Sequence, residues 1–380
     1  MQLTNQDIKM KFLINKNTLL KKLQLLSKAI PSRSTLPIIS SALFTTKGNQ
    51  LSMRATDLEI SINIKCDIMG GEEGCIAIPL GKLLEITSVM PESDIDFNVS
   101  DIGKMNISCN SGRYTIMGQS SEEFPSEQAI ENSQTLQISS KELKDIINNT
   151  SYAASKDDLK PVLQGVLFQI QNDGIVSVAT DGHRLVKLEK KKIHSLDYTG
   201  DVVVPIKFLS LLTTQLTEDE NISMLIGDNH IQVQLKDITI TTRIIKDPYP
   251  DYEGVIPKNN TKTLVINKDS FTEAIKRVSI FSNKSSRQVA LELSENSLTI
   301  TTEDPENITT GKETLDCEYD GEPMTIGYNA LYLKEVLQHQ NSDEIKIMLN
   351  SPLNAGLFLP MDQNNNDNKT TLLMPIRLND

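Results

Sequence analysis

Tryptophan is absent from this 380-residue chain, and cysteine and histidine occur only four times each. Cys66, Cys75, Cys109 and Cys317 lie far apart and form no CxxC pair. That spacing argues against a zinc site or a thiol redox centre and leaves reduced structural thiols as the better reading. HExxH, GxSxG and a phosphate-cradling glycine loop are missing too, which removes the common hydrolytic and nucleotide-binding signatures. No window is apolar enough for a membrane span, and the start MQLTNQDIKMKFLINK has no apolar core of signal-peptide length. A soluble, cytoplasmic protein without metal, cofactor or membrane partner is expected, with residues 1–9 a loose extension and the fold beginning at Met10. Cations are in deficit as well: 38 Lys and Arg against 50 Asp and Glu give a net charge of -12. Taken as a total, this argues against nucleic acid, because phosphate affinity comes from clustered Lys and Arg.

What the chain does have is internal repetition. At 380 residues it exceeds the size at which one core stops growing, so several domains are expected. FLINKNTLLKKLQLLSKAI at 12–30 has counterparts in LQISSKELKDIINNTSYAAS at 136–155 and LVINKDSFTEAIKRVSIFSN at 264–283. Each is a short apolar strand, then Asn or Ser followed by Lys, then helical spacing such as Leu19, Leu23, Leu26 and Ile30. Period-2 strands follow in each copy, joined at Lys47-Gly48-Asn49, Asn172-Asp173-Gly174 and Ser294-Glu295-Asn296, which is hairpin chemistry. A second helix-and-strand half completes each copy. The aspartates that end the first halves, Asp57, Asp181 and Asp304, recur at intervals of 124 and 123 residues. The expected architecture is α+β: three modules at 10–130, 131–257 and 258–380, each with two helices backing antiparallel sheets.

Charge is not spread evenly over this pattern. Segment 14–28 carries Lys16, Lys21, Lys22 and Lys28 and no acid, and segment 268–287 has a net charge of +3. Over all six candidate helical segments the net charge is +9, which leaves −21 on the remainder. Any one such helix reads equally well as a solvated face. Repeated through three modules, the split predicts a positive face able to hold a polyanion through its phosphates and a negative face turned away from it.

The stretch VATDGHRLVKLEK at 178–190 invites a second reading, in which Asp181 and His183, with His194, form a general-base group. Against it, Asp-Gly after an apolar strand is first a turn signal, and the matching Asp57 and Asp304 have no histidine after them. A third reading, a scaffold that binds no nucleic acid, rests on the acidic total.

ATDGHRL at 179–185, the triplicated module, YPDYEGVIP at 249–257 and LMPIRL at 373–378 resemble the bacterial DNA polymerase III beta subunit family, the sliding clamps. The resemblance runs from Met10 to the C-terminus. It implies a DNA clamp fold closed into a ring as a head-to-tail homodimer, with helices lining a hole around duplex DNA. Such a ring holds DNA without regard to sequence, has no reaction of its own, and tethers the polymerase III alpha subunit for processive synthesis. An ATP-driven clamp loader opens and closes it, and other proteins with short clamp-binding motifs share it.

Carried over position by position, the resemblance implies a peptide-binding pocket. It is formed by Leu163, Thr180, Gly182, His183, Arg184 and Leu185, by Pro250 and Val255, by Asn329, Tyr332 and Leu353, and by the terminal Met374, Pro375, Ile376 and Arg377. Apolar walls with a few polar edges suit an extended peptide with Gln, Leu and Phe anchors. Arg33 and Lys207 match or adjoin DNA-facing basic positions. Ile280 and Phe281 match the apolar pair offered to the partner subunit, although burial within their own module is an equal alternative on sequence alone. The chain departs from the family at Ser286, where an aromatic residue is frequent, and at Gly254, where arginine is. Pro161 and Val162 replace two tyrosines that touch DNA in some members, so that contact is not carried over.

Overall fold

The structure, a computed structural model, describes residues 10–378 apart from 32, 101, 128, 194–197, 218–219 and 364–365. The 1–9 extension and His194 therefore lie outside the described residues. Six α-helices occur among them: α1 (Lys16–Leu26), α2 (Leu80–Val89), α3 (Ser140–Thr150), α4 (Ile206–Thr213), α5 (Lys268–Val278) and α6 (Ala330–Gln338). None is long and apolar enough to cross a membrane.

The Asn or Ser ahead of the three longest helices is their N-cap. Asn15 Oδ1 accepts from the Asn17 and Thr18 N–H groups, and Asn267 Oδ1 from that of Ser270. Ser139 Oγ accepts from the Glu142 N–H, the N-cap bond, and donates to the Glu142 carboxylate. Leu19, Leu23 and Leu26 are buried on one face of α1, as the spacing predicts. Ile30 is not helical: Ser27 donates back to the Gln24 carbonyl, a 3-10 turn covers Ser27–Ala29, and Ile30 is extended. Because the helices stop earlier than the sequence segments, Lys28, Lys156, Lys284 and Arg287 fall beyond their ends and only about half of the +9 is strictly α-helical. Of the four, only Lys28 is within a turn of its helix end, where the negative carbonyl end of the helix dipole favours a cation.

Two compact units divide the chain: residues up to Gln137 with Asn221–Ile244, and Ile138–Glu220 with the rest from Ile245. The first unit has a five-stranded sheet in the order Met69–Glu72, Met10–Asn15, Asp94–Val99, Lys104–Cys109 and Gly112–Met117. Phe12 opposes Phe97 there, with rings stacked at 4.7 Å. Its second sheet has eight strands, in which Ile238–Arg243 pairs antiparallel with Ile60–Asp67.

The second unit has a four-stranded sheet ending at Thr309–Asp316 and a nine-stranded sheet, in which Arg184–Lys191 pairs with Asp367–Leu373. Phe271, Tyr328 and Phe358 are the largest buried side chains of its main core. In both units a sheet runs unbroken between strands distant in sequence, which removes edges that would otherwise pair with other chains. The three hairpins close as read, with Lys47 opposite Gln50, Gln171 opposite Gly174 and Ser294 opposite Ser297.

Candidate protein-partner site

Thr180–Arg184 is a tight turn closed largely by its own side chains. Thr180 Oγ1 donates to the Arg184 carbonyl at 2.7 Å and accepts from the Gly182 N–H at 3.1 Å. Asp181 Oδ1 accepts from the His183 and Arg184 N–H groups at 2.9 and 3.0 Å. Gly182 sits at φ +91°, a conformation that a residue without Cβ adopts at no steric cost. Asp181 thus serves the backbone of the turn, and the exposed His183 ring stacks instead on Tyr332, with centroids 5.7 Å apart. That arrangement removes the general-base reading of the pair.

Arg184, expected at the pocket, points inward and is 5% exposed. Its Nε lies 3.3 Å from Asp181 Oδ2, one Nη donates to the Glu335 carboxylate, and the other donates to the Tyr152 carbonyl at 2.6 Å. The guanidinium also lies 4.8 Å from the centre of the Tyr332 ring and 5.3 Å from that of Tyr152. A buried cation is tolerated only with such partners, so Arg184 holds the site together from below. Burial, reinforced by the Asp181 carboxylate, raises the Tyr332 phenol above its ordinary value and keeps it protonated.

The C-terminal tail is laid against this turn by strand register. Arg184 pairs with Leu373, the Met374 N–H then donates to the His183 carbonyl at 2.8 Å, and the Ile376 N–H donates to the Gly327 carbonyl at 2.8 Å. Gly327 is needed for that approach, because a Cβ there would come within 2.8 Å of the Ile376 carbonyl oxygen. Asn329 caps α6 through Leu331 N–H, and its amide reaches the Ser286 carbonyl at 3.5 Å.

The 3-10 turn Glu253–Val255 is tied to strand Arg184–Lys191 by the Lys187–Glu253 ion pair at 2.5 Å. Gly254 lies so close to Asp251 that a side chain there would displace the carboxylate. Pro250 is exposed next to Tyr249, whose hydroxyl donates to the Val178 carbonyl at 3.4 Å. Leu353 precedes strand Gly356–Pro360, whose Gly356 is itself opposite Leu373.

The predicted residues therefore separate by depth. Leu163 and Leu185 are buried, Leu185 in a core with Val178 and Leu372. Thr180, Asn329, Tyr332, Pro375 and Ile376 are half-buried, and Gly182, His183, Val255, Leu353, Met374 and Arg377 are exposed. Val255, Leu353 and Met374 expose 57%, 66% and 42% of their surface, an apolar presentation suited to a partner. Sequence reasoning missed Gly327, Glu335, Tyr152, His339 and Lys369. Only the last had a usable signal, since it shares a strand face with Thr371 and Leu373, all three buried.

Elsewhere, Arg33 is exposed ahead of the 3-10 turn Pro37–Ser40, and Lys207 is exposed in the first turn of α4. Pro161 and Val162 open the 3-10 turn Pro161–Gln164. Ile280 and Phe281 are 76% and 43% exposed, which removes the alternative that their own module buries them.

Family models for the DNA polymerase III beta subunit match the chain in three stretches: the N-terminal domain at residues 10–128, the central domain at 137–251 and the C-terminal domain at 253–377. A beta sliding clamp of Pseudomonas aeruginosa is 32% identical over 373 residues, covering 97% of this chain and all of that protein. One of Pseudomonas putida is 30% identical over 372 residues with the same coverage. The crystal structure of the Pseudomonas aeruginosa sliding clamp bound to griselimycin superposes with a TM-score of 0.89 at 31% identity, over 97% of this chain and 100% of that one. The Bacillus subtilis polymerase sliding clamp, 24% identical, shares the fold with a TM-score of 0.90 over 98% of this chain and 100% of that one.

Proposed function

The chain belongs to the DNA polymerase III beta subunit family, and we propose that it acts as a sliding clamp, a homodimeric ring that encircles duplex DNA and tethers the replicative polymerase. The observation that carries this reading is the extent of the match: beta sliding clamps align over 97% of this chain and over the whole of their own length.

Three modules at 10–130, 131–257 and 258–380 make up each protomer in this reading. Each has a capped helix, a 3-10 turn, hairpins and a second helix in the same order. Head-to-tail closure needs two unlike surfaces. Gly112–Met117 and Thr309–Asp316 each end a sheet among the described residues, and the exposed Ile280 and Phe281 lie beside the latter, with Phe281 O accepting from Thr309 Oγ1. A free strand edge next to exposed apolar side chains is a pairing surface.

Lys16, Lys21, Lys22, Arg33 and Lys207 face the duplex in this reading, and sliding requires only this sequence-independent attraction to phosphates. The face formed by the exposed His183, Val255, Leu353, Met374 and Arg377 with the half-buried Tyr332, Pro375 and Ile376 receives extended peptides of the polymerase alpha subunit, the clamp loader and other partners. Binding at about micromolar strength, roughly −8 kcal/mol, lets these partners exchange. The clamp has no reaction of its own and works in the cytoplasm.

Retention on DNA tests the ring. Protein loaded on a nicked circle should persist through high salt and be lost when the circle is linearised. Equal loss from circular and linear DNA would exclude encirclement.

A further inference from the structure

Behind the turn that carries His183 runs a continuous stack of cations and rings. Arg184 lies against both Tyr332 and Tyr152, and the half-buried Tyr152 ring is stacked on the His339 imidazole at 3.8 Å and 9°. His339 Nδ1 donates to the Glu335 carbonyl at 2.8 Å, since a carbonyl can only accept. Burial, assisted by Lys369 and Arg184, lowers the pKa of His339 and keeps it a neutral ring between two cations. Its own carbonyl, at the end of α6, accepts from the Lys369 ammonium, which also donates to Asn149 Oδ1 at 2.8 Å. Lys369 is 5% exposed, so a buried cation is held by these two acceptors.

We propose that Lys369, His339 and Tyr152 are positioning residues of the peptide site: they fix Arg184 from behind, and through it the Tyr332 and His183 rings that meet the peptide. The inference rests on the peptide-site reading above. The ammonium of Lys369 bonds Asn149 and the His339 carbonyl, both behind that surface, so its influence passes through the stack.

The groups facing Lys369 make the link titratable. Asp145 and Asn149 face it from α3, His339 from the end of α6, Lys190 from strand Arg184–Lys191, and Asp362 and Asp367 from the strand and loop that carry Lys369. Burial, opposed only partly by Asp145, lowers Lys369 from 10.5 to about 8. Deprotonation removes the charge from the bond to the His339 carbonyl, so peptide affinity should decline as pH rises through about 8. Between about 8 and 10.5 the unfolded chain binds more protons than the folded one, so fold stability should rise with pH in that window. Opposite trends separate loss of binding from loss of fold.

The experiment titrates the full chain with a fluorescent peptide bearing Gln, Leu and Phe anchors, from pH 7 to 9, and compares Lys369→Met. The variant should bind roughly two- to thirtyfold more weakly at pH 7, the range for substitutions along a coupled network, and its affinity should be flat with pH. Tyr152→Leu, which removes the ring and leaves the cation, should show the same loss and covers a Lys369→Met chain that does not fold. Wild-type-like affinity and pH profile in either folded variant would overturn the inference and leave the peptide site standing. No binding by the unaltered chain at any pH would overturn both.

Discussion

The turns Thr56–Ile60 and Thr180–Arg184 have one hydrogen-bond plan and two different uses. In each, the threonine hydroxyl donates to the carbonyl of the last residue and accepts from the third residue's N–H, while the aspartate accepts from the last two N–H groups. A strand leaving the sheet donates to the fourth residue in both, Arg243 to Glu59 at 3.0 Å and Met374 to His183 at 2.8 Å. The difference lies in three side chains. The first turn has Leu58, Glu59 and a buried Ile60, whereas the second has Gly182, His183 and a buried Arg184. At the first, Glu59 and Arg243 form an exposed ion pair at 3.6 Å, which contributes little. At the second, a stacked ring and an apolar methionine occupy the corresponding places. The backbone supplies the corner, and the residue turned inward decides whether the corner is plain core or the support of the His183–Tyr332 ring stack.

Exchanging the inward residues should break the comparison most severely. Ile60→Arg would bury a cation with no built partners and should cost about 4 kcal/mol or more in urea unfolding. Arg184→Ile, the reverse change, leaves Asp181, Glu335 and the Tyr152 carbonyl without their donor and should cost about 3 kcal/mol. A small loss from Arg184→Ile would show that the second turn does not depend on its cation.

Exchanging the outward residue should act on binding alone. His183→Glu removes the ring on Tyr332 and places a charge where the apolar tail passes. Peptide affinity should fall roughly tenfold, with stability unchanged within about 0.5 kcal/mol because the position is exposed. A stability loss as large as that of Arg184→Ile would mean that the stack on Tyr332 belongs to the fold and not to the binding surface.

Much of this was legible in the sequence because it is local. The N-caps at Asn15, Ser139 and Asn267, the two-residue hairpins and the turn role of Asp181 all rest on groups within a few residues of one another. The inward course of Arg184 was not legible, because its partners Tyr152 and Glu335 lie 32 and 151 residues away. Lys369 lies 220 residues from Asn149, and only its alternation with Thr371 and Leu373 hinted that it faces the core. The family resemblance grouped Arg184 and Leu185 with His183 without regard to depth, and the structure buries both beneath the exposed His183. The overestimate of helical charge has a similar origin, since helical periodicity alone does not show where a serine cap ends the helix.

The smallest effect concerns the third residue of each turn. Leu58 holds φ +76° and Gly182 φ +91°, the same left-handed region, but only Gly182 can occupy it without a clash between Cβ and the backbone. Leu58→Gly relieves about 1 kcal/mol or more of that strain and returns part of it as unfolded-chain entropy, for a net gain of about 0.5 kcal/mol. Gly182→Ala should lose about 1 kcal/mol, and the loss is purely conformational because a Cβ there meets no atom within 4 Å. Opposite signs in urea unfolding of the two variants would establish that the turns share one backbone and differ in their tenants. A destabilised Leu58→Gly would mean instead that the half-exposed leucine makes contacts worth more than the strain it bears.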